Sequence, residues 1–176
     1  MKYTLRRSTR AKYMRLTVQP GGTVILTVPH RVPEGMIEKF LAAHTEWIEK
    51  GVKRMQNLKA LPVSGRRSYL KHKEEARAFI NERLAYWNAF YGFTHGRIAI
   101  KNTKRLWGSC SRKGNLNFSY ALLFLPRELA DYVIVHELAH LKEHNHSARF
   151  WALVHKHQPD YLLLRRELRR YLPQSR

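Results

Sequence analysis

Apolar and polar positions alternate with period two near the start of the chain. Over residues 11–29, Met14, Leu16 and Val18 alternate with Tyr13, Arg15 and Thr17, and Val24, Leu26 and Val28 repeat the pattern. Pro20-Gly21-Gly22 supplies turn chemistry between them, so the pattern predicts a β-hairpin. The period then lengthens. From Pro33, which suits a first helical position, Ile37, Phe40, Leu41, Trp47 and Ile48 recur at spacings of three, four and seven. They predict one amphipathic helix with Met36 and His44 flanking its buried stripe. A helix over 73–91 carries Ala76, Phe79, Ile80, Leu84, Trp87 and Tyr91 on one face and ends at Gly92. Short strands are predicted at 98–100, 106–111 and 116–119, the last two joined by a turn at Arg112-Lys113-Gly114-Asn115. Pro126 opens another helix, and its run Leu129, Tyr132, Val133, Ile134, Val135 is apolar nearly all round, as in a helix buried within a core. Ser147 can cap the following helix, whose Phe150, Trp151 and Val154 pack inward. In the last helix Leu162, Leu163 and Leu168 are expected to face the core beneath Arg165, Arg166, Arg169 and Arg170. The fold class is therefore α+β. Residues 57–68, with Pro62, Gly65, Arg66 and Arg67, read as a linker between an N-terminal hairpin-helix unit over 1–56 and a second domain over 69–176, with one compact unit as the alternative.

Charge changes this picture most. The 176 residues carry a formal charge of +20, spread over both halves of the chain. The first 33 residues hold seven Lys or Arg (Lys2, Arg6, Arg7, Arg10, Lys12, Arg15, Arg31) and no acid. The overall field favours a polyanion, meaning nucleic acid, nucleotides or anionic membrane, with a generic basic protein as the bland alternative; for the hairpin, a phosphate backbone and a solvated edge protected by charge are equal alternatives. The lone cysteine, Cys110, excludes an intramolecular disulfide and suits a reducing cytoplasm. Its bland role is a small buried thiol, its sharper one an approach to a metal. The start of the chain has no apolar signal-type segment and no run long enough to span a bilayer, so a soluble cytoplasmic protein is expected, with no membrane partner.

Within the buried helix lies His136-Glu137-Leu138-Ala139-His140, an HExxH pattern. Residues four apart share a helix face, so both imidazoles can converge on one ion. Glu137, about 100° round the helix, is left to hold a metal-bound water as general base. A third ligand should follow. His144 lies about 12 Å along the axis from His136, too far on a straight helix. The helix must therefore stop first, and Asn145 is a plausible left-handed residue to stop it. His146 can then fold back as the third ligand. Glu143 is the second candidate, because carboxylates also bind zinc. Glu143 and Asp160 are candidate acceptors for imidazole N–H groups, and Tyr161 and Arg112 are the candidates for an oxyanion-stabilising role.

The stretch from His136 through His140, Glu143, His146 and Arg149 to Trp151, with the upstream Leu106-Trp107-Gly108-Ser109-Cys110-Ser111 and Gly114-Asn115-Leu116-Asn117, closely resembles the YgjP-like metallopeptidases, relatives of the SprT and WLM zinc proteases. The likeness is strong over the C-terminal half and looser over the N-terminal hairpin and helix. It implies a zincin-like domain with a small antiparallel or mixed sheet, Zn²⁺ on His136, His140 and His146, and Glu137 as the catalytic residue. By analogy with zinc proteases, one strand of the 106–119 hairpin would be an edge strand that pairs with an extended substrate.

The reading that follows is a zinc-dependent metallopeptidase acting on a protein or peptide, its relatives suggesting proteins held at nucleic acid. Two alternatives account for some of these features. One is a metal-dependent nucleotide (UTP) pyrophosphatase, an activity also attached to this family; the chain has no phosphate loop of the GxxxxGK[ST] type. The other is a nucleic-acid-binding module whose zinc is structural.

Overall fold

The computed structural model describes residues 2–19, 21–59, 61–63, 65–103 and 105–171. Pro20 of the predicted turn lies outside the described residues. The chain divides into two compact units, Met1–Leu58 and Lys59–Arg176, each with its own apolar core.

In the first unit, β2 (Arg15–Val18) and β3 (Val24–Pro29) form the antiparallel hairpin that the alternation predicts, with Gly21 and Gly22 at φ +85° and +84° in the turn. The pattern does not announce β1 (Thr4–Ser8), which pairs in parallel with β3 and makes a mixed sheet of order β1-β3-β2. Thr4-Leu5-Arg6-Arg7-Ser8 has one apolar residue, and even Leu5 is 39% exposed; an edge strand held mainly by backbone pairing leaves no periodic signature. Val24, Leu26 and Val28 face Ile37, Leu41 and Ile48.

The single helix predicted from Pro33 is two helices, α1 (Glu34–Ala43) and α2 (Thr45–Gln56). At the break, His44 Nδ1 donates to the Phe40 carbonyl (2.7 Å) and Thr45 Oγ1 donates to the Leu41 carbonyl (3.1 Å). These side-chain bonds occupy carbonyls that a continuing helix would use. The break resets the helical phase. Ile48 is fully buried, whereas Trp47, expected in the buried stripe, is 51% exposed.

The second unit opens earlier than the linker reading allows. Leu61 and Val63 are buried, Lys59 N donates to the Arg170 carbonyl, and α3 (Gly65–Tyr91) begins at Gly65, not near Lys73. Gly65 sits at φ +76°, a conformation that glycine adopts without a steric penalty. The strands β4 (Ile98–Lys101), β5 (Gly108–Cys110) and β6 (Leu116–Ser119) form a sheet of order β4-β6-β5. β4 runs parallel to β6 and β5 antiparallel, so β5 is an edge strand. A 3-10 turn, Tyr120–Phe124, leads to α4 (Arg127–Ala139), followed by α5 (Ala148–His157) and α6 (Tyr161–Leu168). α4 is buried almost all round, packed by α3, α5, α6 and β5. A bidentate ion pair, Arg83 Nε and Nη2 to the two Asp131 oxygens at 2.7 and 2.8 Å, joins α3 to α4 inside the core. In α6 the inward face is Tyr161, Leu164 and Leu168, whereas Leu162 and Leu163, expected inside, are more than half exposed. Spacings of three and four from Tyr161 select Leu164 and Leu168 and leave the intervening leucines outward. Among the described residues no helix is long and apolar enough to cross a membrane.

Candidate metal centre

α4 carries His136 and Glu137 near its C-terminal end, and His140 is its C-cap. The helix stops there, with its last turn closing tightly: Leu141 N bonds the Leu138 carbonyl at 3.0 Å and Lys142 N the Ala139 carbonyl at 3.1 Å. The stop predicted at Asn145 is therefore made sooner and by other means, since no described non-glycine residue has a positive φ. Ending the helix early frees the chain to turn back. Ser147 then caps α5, its Oγ accepting from Phe150 N (3.3 Å), as its position in the sequence suggests.

This reversal brings His146 to His136 and His140. One ligand nitrogen from each of the three lies within 4.8 Å of the others, the only such group of three among the described residues. His136 Nε2 and His146 Nε2 are 3.0 Å apart. Two ligands of a tetrahedral ion with Zn–N bonds of about 2.05 Å would stand about 3.3 Å apart, so a small outward shift accommodates the ion. His140 Nδ1 donates to the Glu143 backbone carbonyl (3.0 Å), which turns its other nitrogen toward the group. Glu143 thus acts through its main chain, not its carboxylate. Neither its carboxylate nor the exposed His144 belongs to the cluster, and Asp160 stands at the start of α6. Phe150, fully buried, floors the cluster with ring centroids 4.8, 4.4 and 4.8 Å from His136, His140 and His146. Trp151 stacks on His146 at 5.6 Å and Tyr161 on Trp151 at 5.0 Å.

Electrostatics keep the donors ready. Burial, helped by the neighbouring His140, His146 and Arg165, drives the His136 pKa down to about 3. Burial likewise lowers His140. Neutral imidazoles with free lone pairs are the form that binds a cation. Glu137 is 5% exposed, its Oε2 has no hydrogen-bond partner, and burial pushes its pKa up to about 8. An unpartnered carboxyl beside three converging imidazoles is costly by itself and becomes favourable next to a cation that would pull its pKa back down. The donor set and the orphaned carboxyl oxygen therefore fit a divalent metal.

Glu137 faces β5. A Cβ placed at Gly108 would stand 2.7 Å from Glu137 Cγ and Oε1, so only glycine leaves room for that carboxyl. Burial, then the Glu137 charge, raises the Cys110 pKa and holds the thiol protonated; Cys110 is outside the histidine cluster. A cavity of about 640 Å³ opens beside His136 and Glu137 and includes Tyr132, Trp107, Arg105, Arg165 and Arg169. Arg112, in the turn between β5 and β6, and Tyr161, stacked behind Trp151, do not line it. Tyr132 and Arg165 do, and the sequence signals each by its spacing: Tyr132 precedes His136 by one helical turn, and Arg165 belongs to the basic run after Tyr161.

Three converging imidazoles and a buried acid against a sheet-edge strand, in an α+β framework, are the equipment of a metal-dependent hydrolase. The comparisons with known proteins make this specific. A family model described as "YgjP-like, metallopeptidase domain" matches residues 12–73 and 66–171, and the chain belongs to the YgjP-like metallopeptidase family. No curated protein matches the chain. Among solved structures it is similar to the metallopeptidase zymogen abylysin of Pyrococcus abyssi, at 28% identity over 51% of this chain and 91% of that one, with a TM-score of 0.46.

Proposed function

We propose that this protein is a zinc-dependent metallopeptidase in which His136, His140 and His146 hold the metal and Glu137 is the general base. The observation that carries the reading is the convergence of three imidazole nitrogens within 4.8 Å beside a buried carboxyl oxygen that has no partner. Three imidazoles and no carboxylate suit zinc in a site with one position left open. When bound, the ion supplies Lewis acidity, polarising a carbonyl and lowering the pKa of a water.

The remaining steps belong to the chain. The backbone of β5, the edge strand of its sheet among the described residues, pairs with an extended peptide and sets its register against α4. Glu137 accepts a proton at a carboxylate oxygen as water attacks the carbonyl carbon, and returns it to the departing amine nitrogen. Tyr132 and Arg165, on the cavity wall, donate toward the oxygen that becomes negative. Phe150 and Trp151 hold the imidazoles in orientation and keep bulk water from their inner faces.

The natural substrates on this reading are proteins associated with nucleic acid, in the cytoplasm. The support is the cationic first unit. Arg6 and Arg15 flank Thr27 across the sheet, and the first 33 residues contain no acid to neutralise them.

The test measures metal content and activity together for wild type, Glu137→Gln and His146→Ala, on casein and on UTP. The expected outcome is a metal-loaded Glu137→Gln protein with casein cleavage down at least about a hundredfold, and a metal-poor His146→Ala. Full zinc occupancy in His146→Ala would remove that residue from the ligand set. Pyrophosphate release from UTP that depends on Glu137, with casein untouched, would replace the peptidase reading.

A further inference from the structure

The cavity beside Glu137 has features that peptide-bond cleavage alone does not require. Its body is apolar, made by Leu106, Trp107, Val133, Leu168 and Tyr171. Its charged rim is of one sign. Arg105 comes from the loop before β5, Arg165 from α6, and Arg169, four residues on, is the C-cap of that helix. The one carboxylate in the lining is Glu137 itself. Among the described residues, no acidic side chain forms an ion pair with Arg105, Arg165 or Arg169, although Glu167, between the last two, pairs with Lys59 and Arg170 instead. Arg165 is held over the Trp151 ring, 5.0 Å from its centroid, which fixes it near the imidazoles.

Three guanidinium groups around one opening repel each other and gain most when an anion enters between them. Their planar forks match a carboxylate in two-point fashion. An apolar sleeve with such a mouth fits a group that is aliphatic along its length and carboxylate at its end. We propose that this cavity is the subsite for a carboxylate-bearing residue next to the scissile bond, either an acidic side chain or the C-terminus of the peptide, with Arg105 and Arg169 as its specificity-determining residues. This inference rests on the peptidase reading above and names its substrate class.

The experiment uses one peptide framework with Glu, Gln or Lys beside the cleavable bond, each with a free or an amidated C-terminus. Cleavage by the zinc-loaded wild type, Arg105→Glu and Arg169→Glu gives kcat/KM. Fluorescence anisotropy of the same labelled peptides on full-length Glu137→Gln protein, with and without zinc, gives Kd apart from turnover. The expected result is about a tenfold preference for carboxylate over its neutral counterpart, in both kcat/KM and Kd. The preference should shrink between about 50 and about 500 mM salt, because the arginines are exposed. In Arg169→Glu it should invert toward the Lys peptide. A preference that follows the residue beside the bond identifies a side-chain carboxylate, and one that vanishes on amidation identifies the C-terminus.

Cleavage and binding within twofold for all six peptides would overturn the subsite and leave the peptidase reading intact. If wild type cuts no peptide, the peptidase reading fails, and the anisotropy data alone decide the subsite. A nucleoside triphosphate that displaces the labelled Glu peptide at lower concentration than the unlabelled Glu peptide does would overturn the assignment in favour of a phosphate.

Discussion

At position 108 the absence of a methyl group sets where the candidate general base can stand. The Glu137 carboxyl occupies the space that a Cβ would take, at 2.7 Å. Gly108→Ala must therefore push Glu137 aside, while the imidazoles, which supply none of the three atoms nearest that Cβ, keep their positions. The expected outcome is normal zinc content with kcat/KM reduced about a hundredfold, the size of effect that follows from a roughly 1 Å misplacement. Wild-type activity in that variant would contradict the assignment of Glu137. Titration gives a second check on the same carboxyl. In metal-free protein, burial raises the Glu137 pKa from 4.5 to about 8, so the folded state keeps a proton that the unfolded chain releases between those values. The stability this proton confers is fully present below pH 4.5 and is lost as pH rises toward 8. Metal-free Glu137→Gln should therefore be more stable than metal-free wild type near neutral pH, by up to about 3 kcal/mol, with the gap closing toward pH 5. His136 acts with the opposite sign: its pKa falls from 6.5 to about 3, so both proteins lose stability as pH drops below 6.5, and the difference between them cancels that loss. Urea unfolding of metal-stripped proteins between pH 5 and 8 measures the gap. A gap independent of pH would mean that Glu137 is ionised in the folded state throughout.

At the scale of elements, α4 owes its position to a polar contact inside an apolar core. Ten of its thirteen residues are buried, and two of those ten, Asp131 and Glu137, are acids. Glu137 faces the candidate metal centre; Asp131 is met by Arg83 of α3, whose guanidinium also lies over the Tyr86 ring. Removing one partner leaves a buried charge alone. Arg83→Ala and Asp131→Ala should each cost about 3–5 kcal/mol, whereas Arg83→Met with Asp131→Leu should recover most of that loss. Thermal melts of the three variants check it; equal losses in single and double variants would show packing, not charge, to be at stake. The element pattern in the sequence reports α4 and its burial plainly, because four apolar residues in succession suit no amphipathic surface. It does not report the Arg83–Asp131 pair, since forty-eight positions separate the partners and each alone looks like a surface charge.

Across the whole molecule, the candidate site lies entirely within the unit Lys59–Arg176, and the first unit has its own core of Val24, Leu26, Val28, Ile37, Leu41 and Ile48. Metal binding is linked to the folding of whichever unit supplies the ligands. Chelation should raise amide exchange over residues 136–157 and leave that over 24–28 and 37–48 unchanged, as read by hydrogen exchange of the full-length protein. Protection lost equally in both regions would show that the two units unfold as one. The high positive charge is likewise a whole-molecule property, and its salt dependence belongs to any polyanion assay.

The amino-acid sequence by itself determined the α+β class, the β2–β3 hairpin, the buried α4 and the naming of His136, Glu137, His140 and His146 as candidates, because each rests on local periodicity or on residues no more than ten apart in one short stretch of chain. It also identified the family. Tertiary structure alone decided the parallel edge strand β1, the break at His44, the early start of α3, and the leucines of α6 that face out. It alone decided that the α4 helix ends at His140 and that Glu143 holds His140 through a main-chain carbonyl. It also made Gly108, from a different strand, the residue that admits Glu137. These depend on which distant atoms meet, and a pattern confined to neighbours along the chain carries no record of such meetings.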